Sequence, residues 1–252
     1  MTNQQPDLRQ YIDSTYLKTA QQAGLSEEEN RQRVIDTIRE AIDEGFYLVM
    51  IRPEYVALAR KMIDEKGANV KVGTVIDFPG GTRPWKLKIA EAQKAINDGA
   101  DELDFVVNYR AFMQGETDLV KKEIFEGSLL GLRNGKVVKW IIEAAALTDE
   151  QIAALTSLIR DTVLQTLGPD AADKVFVKSS TGFYPTKNGK PNGATPHNIA
   201  IMLEHASPLP VKAAGGIRNF TDALRYIEMG VKRLGTSSAK KIIKGENASG
   251  NY

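Results

Sequence analysis

Short apolar runs recur along the whole chain, separated by longer stretches of helical periodicity. The short runs are "YIDST" (11–15), "FYLVMI" (46–51), "VKVGTVIDF" (70–78), "DELDFVVN" (101–108), "KVVKWIIEA" (136–144), "KVFVKSS" (174–180), "LPVKAA" (209–214) and "VKRLGTS" (231–237). Each is short enough, and rich enough in Val, Ile, Phe and Tyr, to predict a strand. Between them, "ENRQRVIDTIREAIDEG" sets Val34, Ile35, Ile38 and Ile42 on one face and stops at Gly45. "RPEYVALARKMIDEKG" opens with Pro53 in its first turn and stops at Gly67, "WKLKIAEAQKAINDG" stops at Gly99, and "FTDALRYIEMG" stops at Gly230. "TDEQIAALTSLIRDTVLQTLG" opens on a capping residue, Thr148, with acidic residues in its first turn.

Strands alternating with helices predict right-handed βαβ units and a parallel sheet. Eight such strands favour closure into an α/β fold of the (β/α)8 type, a TIM barrel, over an open doubly wound sheet. No linker divides the chain, so one barrel domain is expected over residues 1–244. The end, "GENASGNY" (245–252), reads as a flexible tail.

Side chains alternate along a strand, so parity sorts the inward faces. Lys174, Phe176 and Lys178 share one face of the sixth strand; Glu102, Asp104 and Val106 share one of the fourth, and Lys139, Ile141 and Glu143 one of the fifth. Lys212 stands near the end of the seventh strand, and Asp13 shares parity with Thr15 on the first. If these faces point inward, the C-terminal mouth of the barrel gathers Lys139, Lys178 and Lys212 with Asp13, Asp104 and Glu143. A lone strand lysine would be read as solvent-facing. Several charges on compatible faces of one closed barrel must instead be paired or change protonation.

Composition removes other chemistries. The chain has 252 residues, 42% hydrophobic and 26% charged, with a net charge of +1 from 33 basic and 32 acidic residues. That balance gives no nucleic-acid or membrane footprint. There is no cysteine, which excludes disulfides, thiolate catalysis and thiolate metal sites. "MTNQQPDLRQ" lacks the apolar core of a signal peptide, and no run reaches the roughly 18 apolar residues of a membrane span. A cytoplasmic protein is expected.

An ordinary lysine is protonated at neutral pH and does not attack carbonyls. Burial and a neighbouring ammonium both disfavour the charged form, so Lys212 would free Lys178 to act as an amine nucleophile toward an aldehyde. The resulting iminium is an electron sink that lets an adjacent carbon–carbon bond break or form, with Asp104 and Lys212 moving protons. This chemistry needs no cofactor and no metal. His197 and His205, eight apart around one helix, read as surface or capping residues. Gly215 and Gly216 after the seventh strand, and Ser237 and Ser238 after the eighth, fall where this fold commonly holds phosphate.

These residues carry a resemblance to the 2-deoxyribose-5-phosphate aldolases, a class I aldolase family of (β/α)8 fold. It runs from "YIDSTYLK" to "GTSSAKKII". "VKSSTGF" resembles the segment of the Schiff-base lysine, "VKAAGGIR" that of the second active-site lysine, and "GADELDFVVN" the stretch whose second aspartate is here Asp104. "GTVIDFP" and "KWIIE" match further strands, and "AGG" with "GTSS" matches the phosphate site. The resemblance implies a Schiff base on Lys178, proton relay by Lys212 and Asp104, and substrate contacts at Asp13, Thr15, Lys139, Thr181, Gly215, Gly216, Ser237 and Ser238. The implied reaction is reversible cleavage of 2-deoxy-D-ribose 5-phosphate to acetaldehyde and D-glyceraldehyde 3-phosphate. The implied partners are phosphorylated sugars, aldehydes and further copies of the chain in a homodimer or larger homo-oligomer.

Departures from the family pattern are Met50 where a cysteine is frequent, Ser14 where histidine is frequent, and "IIEAAAL" where a Glu-Thr pair is usual. The loop "YPTKNGKPNGATP" is longer than a minimal connection. Tyr252, the last residue, corresponds to a tail tyrosine that assists proton transfer in some relatives. Two other readings stay open: another Schiff-base lyase or a phosphosugar isomerase on the same barrel, and a catalytically silent phosphosugar-binding protein.

Overall fold

The computed structural model describes residues 6–187 and 189–246. Eight strands form a closed barrel in chain order: β1 (Ile12–Thr15), β2 (Leu48–Ile51), β3 (Lys71–Ile76), β4 (Glu102–Val106), β5 (Val137–Ile141), β6 (Val175–Lys178), β7 (Val211–Ala214) and β8 (Arg233–Thr236). Every neighbouring pair is parallel, and β8 returns to β1. The strands are shorter than the apolar runs that announce them because both ends leave the ladder for the connecting loops.

Helices follow each strand. α1 (Ala20–Ala23) and α2 (Glu27–Glu44) follow β1, α3 (Val56–Lys66) follows β2, and α4 (Trp85–Asn97) follows β3. α5 (Tyr109–Met113) and α6 (Thr117–Arg133) follow β4, and α7 (Asp149–Leu167) follows β5. α8 (Pro196–Ala206), α9 (Phe220–Glu228) and α10 (Ala239–Ile243) complete the order. Thr148 caps α7 in a reciprocal capping box with Gln151, and Ser26 does the same for α2 with Glu29. Pro53 opens a 3-10 turn, Pro53–Tyr55, that leads into α3. No helix among the described residues is long and apolar enough to cross a membrane.

Two buried layers follow from strand parity. Outward residues such as Leu103, Phe105, Val138, Trp140, Val175 and Val177 join the helices in one continuous core. Trp140 stacks on Phe105 at 4.8 Å and donates its ring N–H to Ser128 Oγ at 3.0 Å, so its polar atom is satisfied inside that layer. Inside the barrel a smaller apolar cluster of Leu17, Leu48, Met50 and Val75 fills the side of β2 and β3. Gly73 makes room for it, since a Cβ there would lie 2.6 Å from the Met50 methyl. The charged interior residues Asp13, Glu102, Asp104, Lys139, Lys178, Lys212 and Arg233 lie beside it, with Val106, Ile141 and Phe176 on the same strand faces.

One residue assigned inward by parity is outside. Lys174 lies in a 3-10 segment, Pro169–Lys174, that precedes β6 and is exposed. Alternation begins only where the ladder does, at Val175. Residue Tyr252 and most of the expected tail lie outside the described residues.

Candidate active site

Lys178 ends β6 and Lys212 is its register partner on β7. Both ammonium groups reach the same carboxylate oxygen: Lys178 Nζ is 2.8 Å and Lys212 Nζ 2.9 Å from Asp104 Oδ2. Asp104 is fully buried, Lys212 is fully buried, and Lys178 is 3% exposed. The other Asp104 oxygen accepts from Lys139 Nζ at 2.7 Å.

Below this triad lies a second layer. Lys212 also reaches Asp13 Oδ2 at 2.5 Å, and Lys139 reaches Glu102 Oε2 at 2.5 Å. Arg233, the first residue of β8, donates to both oxygens of Glu102 at 2.6 Å and stands 3.3 Å from Asp13 Oδ1. Its guanidinium lies 3.6 Å from the ring centroid of Tyr47. Asp13 and Lys139 are therefore beneath the mouth, each fully buried within the charge network.

The interior charges decide which group gives up a proton. In the ion-pair network among the described residues, three carboxylates, Asp13, Glu102 and Asp104, face four cations, Lys139, Lys178, Lys212 and Arg233. With all seven ionised, this buried network holds one unbalanced positive charge, which is costly. Among the described residues Lys139 has three carboxylates within 4.0 Å and Lys212 has two, whereas Lys178 has Asp104 alone. Lys178 is thus the least compensated of the three lysines.

The protonation equilibria agree. Burial lowers the Lys178 ammonium to about 8; Asp104 opposes that shift and Lys212 adds to it. Burial also acts on Lys139, but Asp104, Glu102 and Asp13 overcome it and push that ammonium above the ordinary lysine range. Asp104 is held well below the usual carboxylate range, its burial outweighed by Lys139, Lys178 and Lys212. Both causes named from the sequence act here, burial more strongly than Lys212, and a value near 8 leaves Lys178 far easier to deprotonate near neutral pH than an ordinary lysine.

The remaining predicted residues border this cluster unevenly. Thr15 ends β1 and donates its hydroxyl to the Asp13 carbonyl at 2.8 Å. Thr181, three residues after Lys178, is 4% exposed and bonded to Glu143 through both its N–H and its hydroxyl. Gly215 and Gly216 have φ of +82° and +78°, and a Cβ at Gly215 would lie 2.9 Å from the Gly193 Cα. Ser237 is exposed and Ser238 half-buried just before α10. His197 and His205 sit on α8, away from the barrel interior; His197 pairs with Asp149 at 2.7 Å and His205 approaches Ser157 at 3.4 Å.

Sequence reasoning missed three contributors. Arg233 was legible only by its parity with Gly235 on a strand whose "GTSS" end drew the attention. Gly193 belongs to the long loop after β6, and Ala194 beside it donates to the Ala214 and Gly215 carbonyls at 3.0 and 3.1 Å, tying that loop to the β7 loop. Lys88, on α4 and 1% exposed, donates to the carbonyls of Gly81 and Val106 and to Glu123, pinning the loops after β3 and β4. A lysine in an amphipathic helix carries no sequence mark of that role.

Comparison with known proteins places this geometry. Residues 10–244 match the model of the DeoC/LacD family aldolases. A protein of Thermococcus gammatolerans named deoxyribose-phosphate aldolase is 40% identical over 240 residues, covering 95% of this chain and 96% of the relative. One of the same name from Streptococcus gordonii is 37% identical over 246 residues, covering 97% and 99%. The solved structure of a tetrameric deoxyribose phosphate aldolase from Aeropyrum pernix superposes with a TM-score of 0.75 at 32% identity, covering 94% of this chain and 90% of that one. The chain belongs to the DeoC/LacD aldolase family.

Proposed function

We propose that this barrel reversibly cleaves 2-deoxy-D-ribose 5-phosphate to acetaldehyde and D-glyceraldehyde 3-phosphate through a Schiff base on Lys178. The observation that carries the reading is the sharing of one Asp104 oxygen by two buried lysine ammonium groups, Lys178 being the one with a single carboxylate partner within 4.0 Å among the described residues.

In this reading the Lys178 amine adds to the C1 aldehyde and water leaves, giving an iminium. The C3 hydroxyl proton passes through water to the Asp104–Lys212 pair as the C2–C3 bond breaks. The bonding electrons move into the iminium, forming an enamine, and glyceraldehyde 3-phosphate departs. The same pair returns a proton to the enamine carbon, and hydrolysis releases acetaldehyde and restores the amine. Lys139, Asp13, Glu102 and Arg233 keep the aspartate ionised and the second lysine in place. Backbone groups at Gly215 and Gly216, with Ser237 and Ser238, receive the phosphate; Thr15 and Thr181 border the sugar. The domain reading keeps the barrel at residues 1–244, and Tyr252 as a tail residue that assists proton transfer.

The wider reading is a cytoplasmic enzyme that forms a homodimer or larger homo-oligomer, for which the tetrameric relative is the support; light scattering on the purified chain tests it. The catalytic reading is tested by incubation with acetaldehyde, borohydride reduction and peptide mass spectrometry, alongside an assay of deoxyribose 5-phosphate cleavage. A two-carbon adduct on Lys178 together with turnover is the expected result. Turnover of a phosphosugar without any adduct would favour an isomerase, and neither would favour a binding protein.

A further inference from the structure

Glu143 lies just beyond β5, at the mouth, and is 1% exposed. Its backbone has φ +55° and ψ +60°, the left-handed region that side chains other than glycine avoid. Such a conformation is unfavourable for a side-chain-bearing residue and persists where the surroundings demand it. What it achieves here is to turn the carboxyl group onto the segment that follows Lys178. One Glu143 oxygen accepts the Thr181 N–H at 3.2 Å and the other accepts the Thr181 hydroxyl. Two backbone bonds run alongside: Ile142 N–H to the Lys178 carbonyl at 3.0 Å and Ala144 N–H to the Ser179 carbonyl at 2.8 Å. Glu143 thereby extends the β5–β6 ladder through its side chain.

The hydroxyl of Thr181 has one proton and two lone pairs. The proton goes to Glu143, and Thr181 Oγ1 accepts the Phe183 N–H at 3.0 Å. One lone pair remains. With Glu143 ionised, Thr181 is left able only to accept. We propose that Glu143 is a positioning and specificity-determining residue: it fixes the polarity of the Thr181 hydroxyl, so that the mouth prefers an aldehyde carrying a hydroxyl beside the carbonyl over one carrying an ether there. Once Glu143 is protonated it no longer requires the Thr181 proton, the hydroxyl turns outward as a donor, and the ether is accepted. The charged and titratable groups that bear on Glu143 are Lys178 from β6 and Tyr109 from α5. Burial prevails over its Thr181 bonds and over Lys178 and raises Glu143 to about 7, so both states are reachable in ordinary assays.

The inference rests on the aldolase reading and on Thr181 bordering the substrate. Its test is KM for two acceptor aldehydes, glycolaldehyde and methoxyacetaldehyde, in addition of acetaldehyde from pH 6 to pH 8.5. Steric differences between them do not change with pH. The ratio of the methoxy to the hydroxy KM is expected to rise as pH passes 7, by roughly three- to tenfold, the range of one neutral hydrogen bond. The wild-type measurement needs no variant. In Glu143→Gln the ratio is expected to stay at its low-pH value throughout, and Thr181→Ser is expected to keep the wild-type trend. A wild-type ratio that is flat with pH, while acetaldehyde is still trapped on Lys178, overturns this inference alone. No trapped adduct in the same preparation overturns the aldolase reading and this inference with it.

Discussion

Lys178 and Lys212 face each other across the β6–β7 ladder and donate to one and the same oxygen of Asp104, at 2.8 and 2.9 Å. Two ammonium groups that close repel, and the carboxylate between them offsets that repulsion only in part. The difference between the lysines is their second partner. Lys212 also holds Asp13 at 2.5 Å, and Lys178 has no second carboxylate within 4.0 Å among the described residues. That asymmetry leaves Lys178 the less compensated of the two ammonium groups.

The first consequence is a stability gain on removing Lys178. Lys178 has a folded-state value of about 8, below the 10.5 of an ordinary lysine. Between those values the unfolded chain holds a proton that the native state has released, so this group makes stability rise as pH increases through that window. Below pH 8 the penalty is present in full, roughly 3 kcal/mol by the size of the shift. Lys178→Met leaves three carboxylates facing three cations in the interior. Urea unfolding is expected to show the variant more stable than wild type at pH 7, by up to about 3 kcal/mol, with the advantage fading toward pH 10.5. Equal stabilities at both pH values would contradict the charge balance.

Arg233 tests the same balance from the floor of the barrel. Its guanidinium pairs with Glu102 and Asp13, and removing it leaves those carboxylates less compensated. The field at Lys178 becomes more negative, and its ammonium becomes harder to deprotonate. For Arg233→Met the acid limb of kcat/KM is expected to move upward in pH by about one unit. Arg233→Lys, which keeps the charge, is expected to restore much of the wild-type position. A fall in activity with an unmoved pH profile would mean that Arg233 serves packing alone.

Met50 faces the barrel interior in the apolar cluster with Leu17, Leu48 and Val75. The chain has no thiol there or elsewhere, so no thiolate is present to capture a soft electrophilic aldehyde. Activity is expected to survive prolonged exposure to concentrated acetaldehyde better in wild type than in Met50→Cys. Rapid wild-type loss with adducts confined to lysines would show that a thiol is irrelevant to tolerance.

How much of this was legible in the sequence follows from the range of each interaction. Parity on short strands put Asp104, Lys178 and Lys212 on inward faces, and the βαβ alternation brought them to one mouth although Asp104 and Lys178 are 74 residues apart. Parity fails where the ladder stops. Lys174 was placed on the inner face because the 3-10 segment before β6 is invisible in the hydrophobic pattern. Glu143 was grouped correctly with the mouth, but its bonds to Thr181 depend on a left-handed backbone that no residue type there announces. Arg233 reads as a surface charge until the barrel closes β8 onto β1 and brings it over Asp13. Such contacts are set by closure, and closure is a property of all eight strands together.

The most direct measurement is the pH dependence of imine formation at Lys178 in the wild-type enzyme. Initial rates of acetaldehyde trapping by borohydride, followed by mass spectrometry at this residue, would be recorded from pH 6 to pH 11. A titration centred near 8, with the adduct on Lys178 and none on Lys212, is the predicted outcome. A midpoint at or above the 10.5 of an ordinary lysine, or an adduct carried by Lys212, would contradict it.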